Sequence, residues 1–367
     1  MKKRVLFFFV HPAKFHLFKA TIEQLKKDGH QVDIIITGRD ILEELLKNEN
    51  WQYTKIFPNG RKVKWLHIYL SAALFIFLTV LKLLSLTRGK NYDMFITDDC
   101  LTFVGRLKGV PSVFYTDSDI SAVPESSILA ASANYILAPN VCDLGRYNHK
   151  KWGYYGYKAT FHLHPKRFTP DIGKIHIDLQ NQDYFFIRTV SATSTHDVGD
   201  RGIGDELLRN LVDTLKPYGR VILNSERSLP EDLSEYLLDF HKNDVGHYIA
   251  HAKLFIGDST TMCAEAAVLG VPSIEIDDWF ANFKQFEELC HKYELLYGFG
   301  VDEKNKITQT IESLLSDSNL KEKQKTRQQK MLKENIDASA FLIWMIENYP
   351  DSSTEYFKNP DTQLRFL

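Results

Sequence analysis

The stretch Lys253 to Ile276, KLFIGDSTTMCAEAAVLGVPSIEI, constrains the fold more than any other part of the chain. Leu254-Phe255-Ile256 is a short apolar run closed by Gly257. Asp258-Ser259-Thr260-Thr261 are turn and cap residues, Met262 to Leu269 has helical character, Gly270 stops it, and Pro272 to Ile276 reads as strand. The spacing predicts a strand, tight loop, helix, strand unit. At a helix start the unpaired backbone N–H groups face outward with partial positive charge, so the Asp258 to Thr261 loop is a candidate seat for a phosphate. Glu265 lies one turn further on, on the side of Thr261, and its Cα–Cβ bond leans back toward the loop. A carboxylate repels a diphosphate but accepts hydrogen bonds from two adjacent hydroxyls, so the stretch suits a ligand with both an anion and a ribose diol, as in a nucleotide-sugar. The same caps and first-turn acid also occur in α/β units that bind nothing, where they only complement the helix dipole.

The rest of the chain repeats the pattern. Val5 to Val10 reads as a first strand, followed by the loop His11-Pro12-Ala13-Lys14-Phe15-His16, a helix from His16 to Lys27 and a strand from Gln31 to Thr37. Met94 to Thr97, Ser112 to Tyr115 and Tyr135 to Ala138 are further strands, the last preceded by a helix from Ser126 to Ala133. Alternating strand and helix signals indicate parallel β-α-β architecture, in which ligands collect at the carboxyl ends of strands. His11 and His16, Asp98-Asp99, and Asp117 and Asp119 fall at such ends, and Glu125 falls at a helix start. Tyr154 to Asp171 is rich in aromatics, His and Pro without periodicity, as expected of an interdomain connection. The C-terminal half opens with the strand Tyr184 to Arg188 and a long polar loop, Thr189 to Gly204, holding His196, Asp197 and Arg201. A helix from Asp205 to Lys216, a strand from Arg220 to Asn224, the loop Ser225-Glu226-Arg227 and a helix from Glu231 to Lys242 follow. Helices are expected at 306–315, 319–336 and 338–346, and a loose polar tail from Asp351.

A length of 367 residues allows two domains, and 44% hydrophobic with 25% charged residues is ordinary for a globular chain. A net charge of −2 gives no basic field, which argues against nucleic acid as a partner. Cys100, Cys142, Cys263 and Cys290 lack CxxC or Cys/His ligand spacing, so reduced cytoplasmic thiols are expected, with no metal site. Trp65 to Leu86 is apolar almost all round and flanked by Arg61, Lys62, Lys64, Arg88 and Lys90. Its doubled basic flank argues against spanning, which leaves a helix buried under the sheet or one lying peripherally at the inner face of the cytoplasmic membrane.

Two such halves, the C-terminal one carrying a phosphate-type loop, resemble the GT-B architecture shared by many glycosyltransferases and by the non-hydrolysing UDP-N-acetylglucosamine 2-epimerases. YYGYKATFHLHPKRFTPD, FFIRTVSATSTHDVGDRGI and IGDSTTMCAEAAVLGVPSI resemble the signature segments of the DUF354 family of bacteria and archaea, over a region from the first strand to about Asp278. The resemblance implies an α/β fold of two Rossmann-like domains, 1–165 and 166–324, with a cleft between them and C-terminal helices near 325–350 returning to the first. Residue by residue, Asp258-Ser259-Thr260-Thr261 with Glu265-Ala266 and Leu269-Gly270-Val271-Pro272 is similar to the epimerase segment whose serine loop binds diphosphate and whose Glu binds ribose. His196 is similar to the epimerase catalytic His, and Asp98 or Asp99, Asp117 or Asp119, and Glu125 to its three acidic positions. The sequence departs from the epimerases at Asp197, where they carry Arg, at Thr260-Thr261, where they carry a glycine pair, and at HPAKFH, which replaces Gly-Thr-Arg-Pro.

The first expectation is therefore a glycosyltransferase with a nucleotide-diphosphate sugar as substrate, no separate cofactor, and a glycan or lipid-linked acceptor. Arg188, Ser225, Glu226, Gly257, Asp258, Ser259, Thr260, Thr261 and Glu265 are the candidate donor-binding residues. His16, Asp117, Asp119, Glu125 and His196 are the candidate catalytic residues. An epimerase-like enzyme and a nucleotide-sugar-binding subunit without catalysis are the alternatives. The sugar, the nucleotide base and any homo-oligomer are left open.

Overall fold

Short runs of Val, Ile, Phe and Tyr build two all-parallel sheets, of seven and five strands. The computed structural model describes residues 2–38, 40–57, 68–190, 202–278 and 284–367, with side chains at all of these except 40 and 68–72. The chain divides into two compact units, one of Met1–His162 with Ile336–Leu367 and the other of Leu163–Asn335.

The first unit runs β1 (Arg4–Phe9), α1 (Pro12–Lys27), β2 (Gln31–Thr37), α2 (Asp40–Asn48), β3 (Thr54–Ile56), α3 (Ile68–Leu86), β4 (Met94–Thr97), α4 (Leu101–Lys108), β5 (Ser112–Tyr115), α5 (Ser126–Ser132), β6 (Tyr135–Pro139) and β7 (Lys151–Tyr154). The strand order is β3-β2-β1-β4-β5-β6-β7, so the chain reverses direction across the sheet between β1 and β4. Both faces of β1 are buried, which is why it reads as a continuous apolar run. Val5, Phe7 and Phe9 join one core with α1, and Leu6 and Phe8 join another with Leu83, Leu101 and Val104. Helix α1 starts earlier than its periodicity suggests, because Pro12 suits the first helical turn and the His11 ring accepts from the Ala13 amide at 3.2 Å.

The second unit runs β8 (Tyr184–Thr189), α6 (Asp205–Leu215), β9 (Arg220–Ser225), α7 (Val245–His251), β10 (Leu254–Gly257), α8 (Thr260–Val268), β11 (Ser273–Ile276), α9 (Lys284–Glu287), β12 (Leu296–Phe299), α10 (Lys304–Ser316) and α11 (Leu320–Glu334), with strand order β12-β11-β10-β8-β9. The helix expected at Glu231–Lys242 is not formed. A 3-10 turn covers Glu231–Tyr236, after which Leu238 donates its amide to Leu223 at 2.9 Å. Strand β9 is the sheet edge, and pairing with it satisfies backbone groups that the weak apolar periodicity of this segment cannot keep in a helix.

The chain then returns to the first unit with α12 (Ala338–Glu347) and α13 (Asp351–Lys358). Ile336 donates to Tyr155 O at 2.8 Å, and Ser339 donates to Phe161 O at 2.7 Å. The loose tail expected from Asp351 is instead ordered. Strand β7 is an edge, and the tail supplies its missing partners: the Tyr356 hydroxyl accepts from Gly153 N and donates to Gly153 O, both at 2.8 Å, and Gln363 accepts from Tyr155 N at 2.8 Å.

Candidate functional sites at the strand ends

In the first unit the carboxyl ends of β1, β4 and β5 bring together four charged side chains. Lys14, in the first turn of α1, sits 4.4 Å from the centroid of the Tyr115 ring and 3.9 Å from Asp117 Oδ1. Asp117 Oδ2 receives the Lys158 ammonium at 2.9 Å. Burial by itself raises the Asp117 carboxyl, but the charges of Lys158 and Lys14 and the hydrogen bond from Lys158 outweigh it and hold the group well below the usual carboxylate range. Asp98, at the end of β4, has the opposite balance. Burial pushes it up to about 6, against the pull of Lys14 and with a further push from Asp99, and its Oδ1 is buried without a hydrogen-bond partner. Burial also lowers the Lys14 ammonium, which Asp117 and Asp98 counteract. Two carboxyl groups near one lysine are thus driven apart, one locked ionised and one poised to exchange a proton near neutrality.

The other sequence candidates of this unit lie differently. The half-buried His16 ring stands 5.8 Å from that of His162. Asp119 accepts from the Asp143 amide at 2.6 Å, and its carbonyl receives Ala122 N, so it organises turns. Glu125 is exposed at the start of α5. His196, with Asp197 and Arg201, lies outside the described residues. Lys14 and Lys158 were not legible as functional: Lys14 belongs to a loop noted only for its histidines, and Lys158 to the apparent connection.

In the second unit Ser259 caps α8 with extended backbone, so the amides of the first turn open at the end of β10. Asp258 is occupied elsewhere: its two oxygens accept from Val190 N at 2.8 Å and Ile203 N at 3.0 Å, tying both residues to the end of β10. Burial raises its carboxyl to about 6 against those hydrogen bonds. Gly257 pairs with Arg188 in the sheet, where an added Cβ would come within 3.0 Å of the Arg188 carbonyl. The Arg188 guanidinium is forked by Asn224 and Glu226, while its Nε is buried without a partner. Ser225 accepts from the Thr189 hydroxyl at 2.9 Å and donates to Arg227 O at 2.7 Å. Thr260 and Thr261 are half-buried in the first turn of α8, and Glu265 is buried one turn on.

Glu275, in β11, is the residue that sequence reading passed over. It is fully buried, and neither carboxyl oxygen has a partner with hydrogen-bond geometry. Burial drives it up to about 8, opposed by the nearby Thr260 hydroxyl and reinforced by Asp277 and Asp258. A separate recess of about 430 Å³ is lined only by α6 and the start of α10 and holds none of these groups. Among the described residues no three His, Cys, Asp or Glu side chains converge as metal ligands, and Cys100, Cys142, Cys263 and Cys290 are free thiols.

No protein-family model matches the chain, and no curated protein does. Solved structures do. The S. aureus MnaA–UDP complex has a TM-score of 0.66 at 14% identity, covering 96% of this chain and 98% of that one. The UDP-GlcNAc 2-epimerase of Neisseria meningitidis bound to UDP-GlcNAc gives 0.63 at 13% identity, over 94% and 99%. The calicheamicin glycosyltransferase CalG4 gives 0.57 at 12% identity, over 98% and 99%. The fold is GT-B-like, with two Rossmann-like units and a C-terminal helix returned to the first.

Proposed function

We propose that the chain is a GT-B nucleotide-sugar enzyme, a glycosyltransferase that passes a sugar from a nucleoside-diphosphate donor, a UDP-sugar in the first instance, to an acceptor hydroxyl of a surface glycan or glycolipid. The observation that carries this reading is the contrast between Asp98, pushed up to about 6, and Asp117, held ionised by Lys158 and Lys14. A single base poised near neutral pH is what transfer to a hydroxyl needs. Asp98 takes the acceptor proton as the oxygen bonds to the sugar carbon and the bond from that carbon to the diphosphate breaks. Asp117 and its lysines fix the charge around Asp98, so Asp117 positions and Asp98 reacts. In the second unit the α8 amides with Ser259 and Thr260 hold the diphosphate, Arg188 meets its developing charge in place of a metal ion, and Glu265 takes the ribose diol. UDP and UDP-GlcNAc in the structurally similar proteins support a ligand of this class. The three signature-like segments support a DUF354-type protein, and the thiols a cytoplasmic one.

A 2-epimerase is the alternative reading, favoured by the epimerases among the similar folds and by two carboxyl groups at neighbouring strand ends, Asp98 after β4 and Asp117 after β5. It requires another exchanging group beside Asp98, for which His196 is the candidate. A third reading is a binding subunit without catalysis.

The test is a thermal-shift and turnover panel of UDP-, GDP- and CMP-sugars on the purified chain, Glu265→Ala and Asp98→Asn. One nucleoside diphosphate is expected to stabilise the chain by mass action, Glu265→Ala to weaken that binding by more than about 1 kcal/mol, and Asp98→Asn to keep binding while losing turnover. No stabilisation by any nucleotide overturns the donor assignment. Deuterium uptake at the sugar C2 from heavy water without acceptor would establish the epimerase instead. Binding with no turnover, unchanged by Asp98→Asn, would leave the binding subunit.

A further inference from the structure

Helix α3 turns an apolar surface to water. Among its described side chains only Thr79 and Leu83 are fully buried, continued by Thr87 just past its end, and the two hydroxyls on that stripe satisfy themselves on Phe75 O and Leu83 O at 2.6 and 2.7 Å. The opposite side carries Leu74, Phe77, Leu78 and Leu81, with Phe77 59% and Leu81 46% exposed. Spacing of three and four residues sets these four on one face, which continues into Ser85 and Arg88. Helix α4 packs on α3 and adds Leu107, 69% exposed. Isolated exposed apolar residues are normal, but a contiguous helical face of them marks an interaction surface.

Charge decides what covers it. The helices α3, α4 and α5 contain no Asp or Glu, and none occurs anywhere from Asn50 to Tyr92 or from Cys100 to Thr116, in a chain that has 47 acidic residues. Around the apolar face stand exposed Lys82, Arg88, Lys90 and Arg106. Lys108 reaches the carbonyl of Thr87 at the end of α3, and the Lys150 ammonium, which feels the charge of Arg106, sits on Ala133 O at 2.7 Å. Another copy docked through this face would set these cations against their own counterparts. An apolar stripe on helices whose only charged residues are cations matches a layer that is apolar within and anionic at its rim. Among the described residues no helix is long and apolar enough to cross a membrane, so the face would lie on the layer.

The geometry points to α3, with Leu107 of α4, as a docking surface for the anionic face of a lipid bilayer: Leu74, Phe77, Leu78 and Leu81 enter the acyl boundary, and Lys82, Arg88, Lys90 and Arg106 hold the headgroups. This inference is independent of the nucleotide-sugar reading.

The experiment is co-sedimentation of the full chain with vesicles of phosphatidylcholine alone or with phosphatidylglycerol added, beside sedimentation velocity without lipid. The full chain is expected to pellet with the phosphatidylglycerol vesicles at least about tenfold more tightly than with the neutral ones, and less so at high salt. Phe77→Asp with Leu81→Asp, both exposed and so compatible with an unchanged circular dichroism spectrum, is expected to abolish pelleting. Lys82→Glu with Arg88→Glu is expected to remove the preference for phosphatidylglycerol. No pelleting, equal pelleting with both vesicles, or an aspartate variant that binds as well as the parent would overturn the inference. So would a dimer that the aspartate variant splits while the parent ignores vesicles, which would make the face a contact between copies.

Discussion

At the residue scale, burial decides what each carboxyl can do. Asp117 and Asp98 occupy neighbouring strand ends, yet two ammonium groups keep the first ionised while burial lifts the other. Glu275 goes further, because only the Thr260 hydroxyl opposes its burial, while Asp277 and Asp258 add to it. An unfolded chain releases this proton near 4.5, whereas the folded carboxyl keeps it up to about 8. Between those values the native state binds more protons than the unfolded one, so Glu275 makes stability fall as pH rises across that window. Glu275→Gln is expected to remove this slope, leaving the variant more stable than the parent near pH 8 by on the order of a few kcal/mol, with little difference below about pH 4.5. Urea melts of both chains across the window check it, and parallel pH profiles would show that the carboxyl is hydrated in solution.

At the element scale, α8 carries the proposed phosphate seat, and its far end is set by Gly270. The amide of Gly270 donates to Ala267 O and that of Val271 to Ala266 O, closing the helix with a left-handed residue at φ +80°. A Cβ there would lie 2.7 Å from Gln328 Cδ, and Gln328 is itself engaged, donating to Val268 O at 2.9 Å. Gly270→Ala should therefore cost about 1–3 kcal/mol through backbone strain and the loss of this cap from α11. A chemical denaturation midpoint unchanged from the parent would mean that Gln328 swings clear and the helix end carries no strain. The opposite lesson comes from 231–242, where propensity suggested a helix and an unpaired sheet edge took the chain instead.

At the scale of the whole molecule, the first unit is completed only by the last part of the chain. Phe341, Leu342, Met345 and Ile346 of α12 are fully buried in the core built by α1 and β1, and Phe341 meets the rings of Trp344, Tyr356 and Phe366. Phe341→Ala is expected to destabilise the first unit by about 3–5 kcal/mol, through lost burial and the cavity left behind. Calorimetry of the variant should show the loss in one transition while the second unit, with its own core, melts as before. A uniform downward shift of all transitions would show that the two units unfold as one.

Local chemistry determined the strands and the alternation around them. Met94–Thr97 and Ser112–Tyr115 are read from sequence with the bounds they have in the fold, because a parallel strand buried on both faces is a short, largely apolar run. The α8 loop was legible for the same reason, since caps and a stop glycine act on neighbouring residues. The partners of Asp117 were not, because Lys14 and Lys158 are distant in sequence and become one site only when α1 and the segment after β7 close over the strand ends. Glu275 alternates with Ile274 and Ile276 as a solvent-facing residue would, but α8 and the turn carrying Cys290 cover that face and bury it. The ordered tail and the exposed face of α3 belong to the same class. Hydrophobicity states that a residue prefers to leave water, but the layers of the fold decide which residues are covered, and coverage sets both the protonation at the strand ends and the surface that is left for a partner.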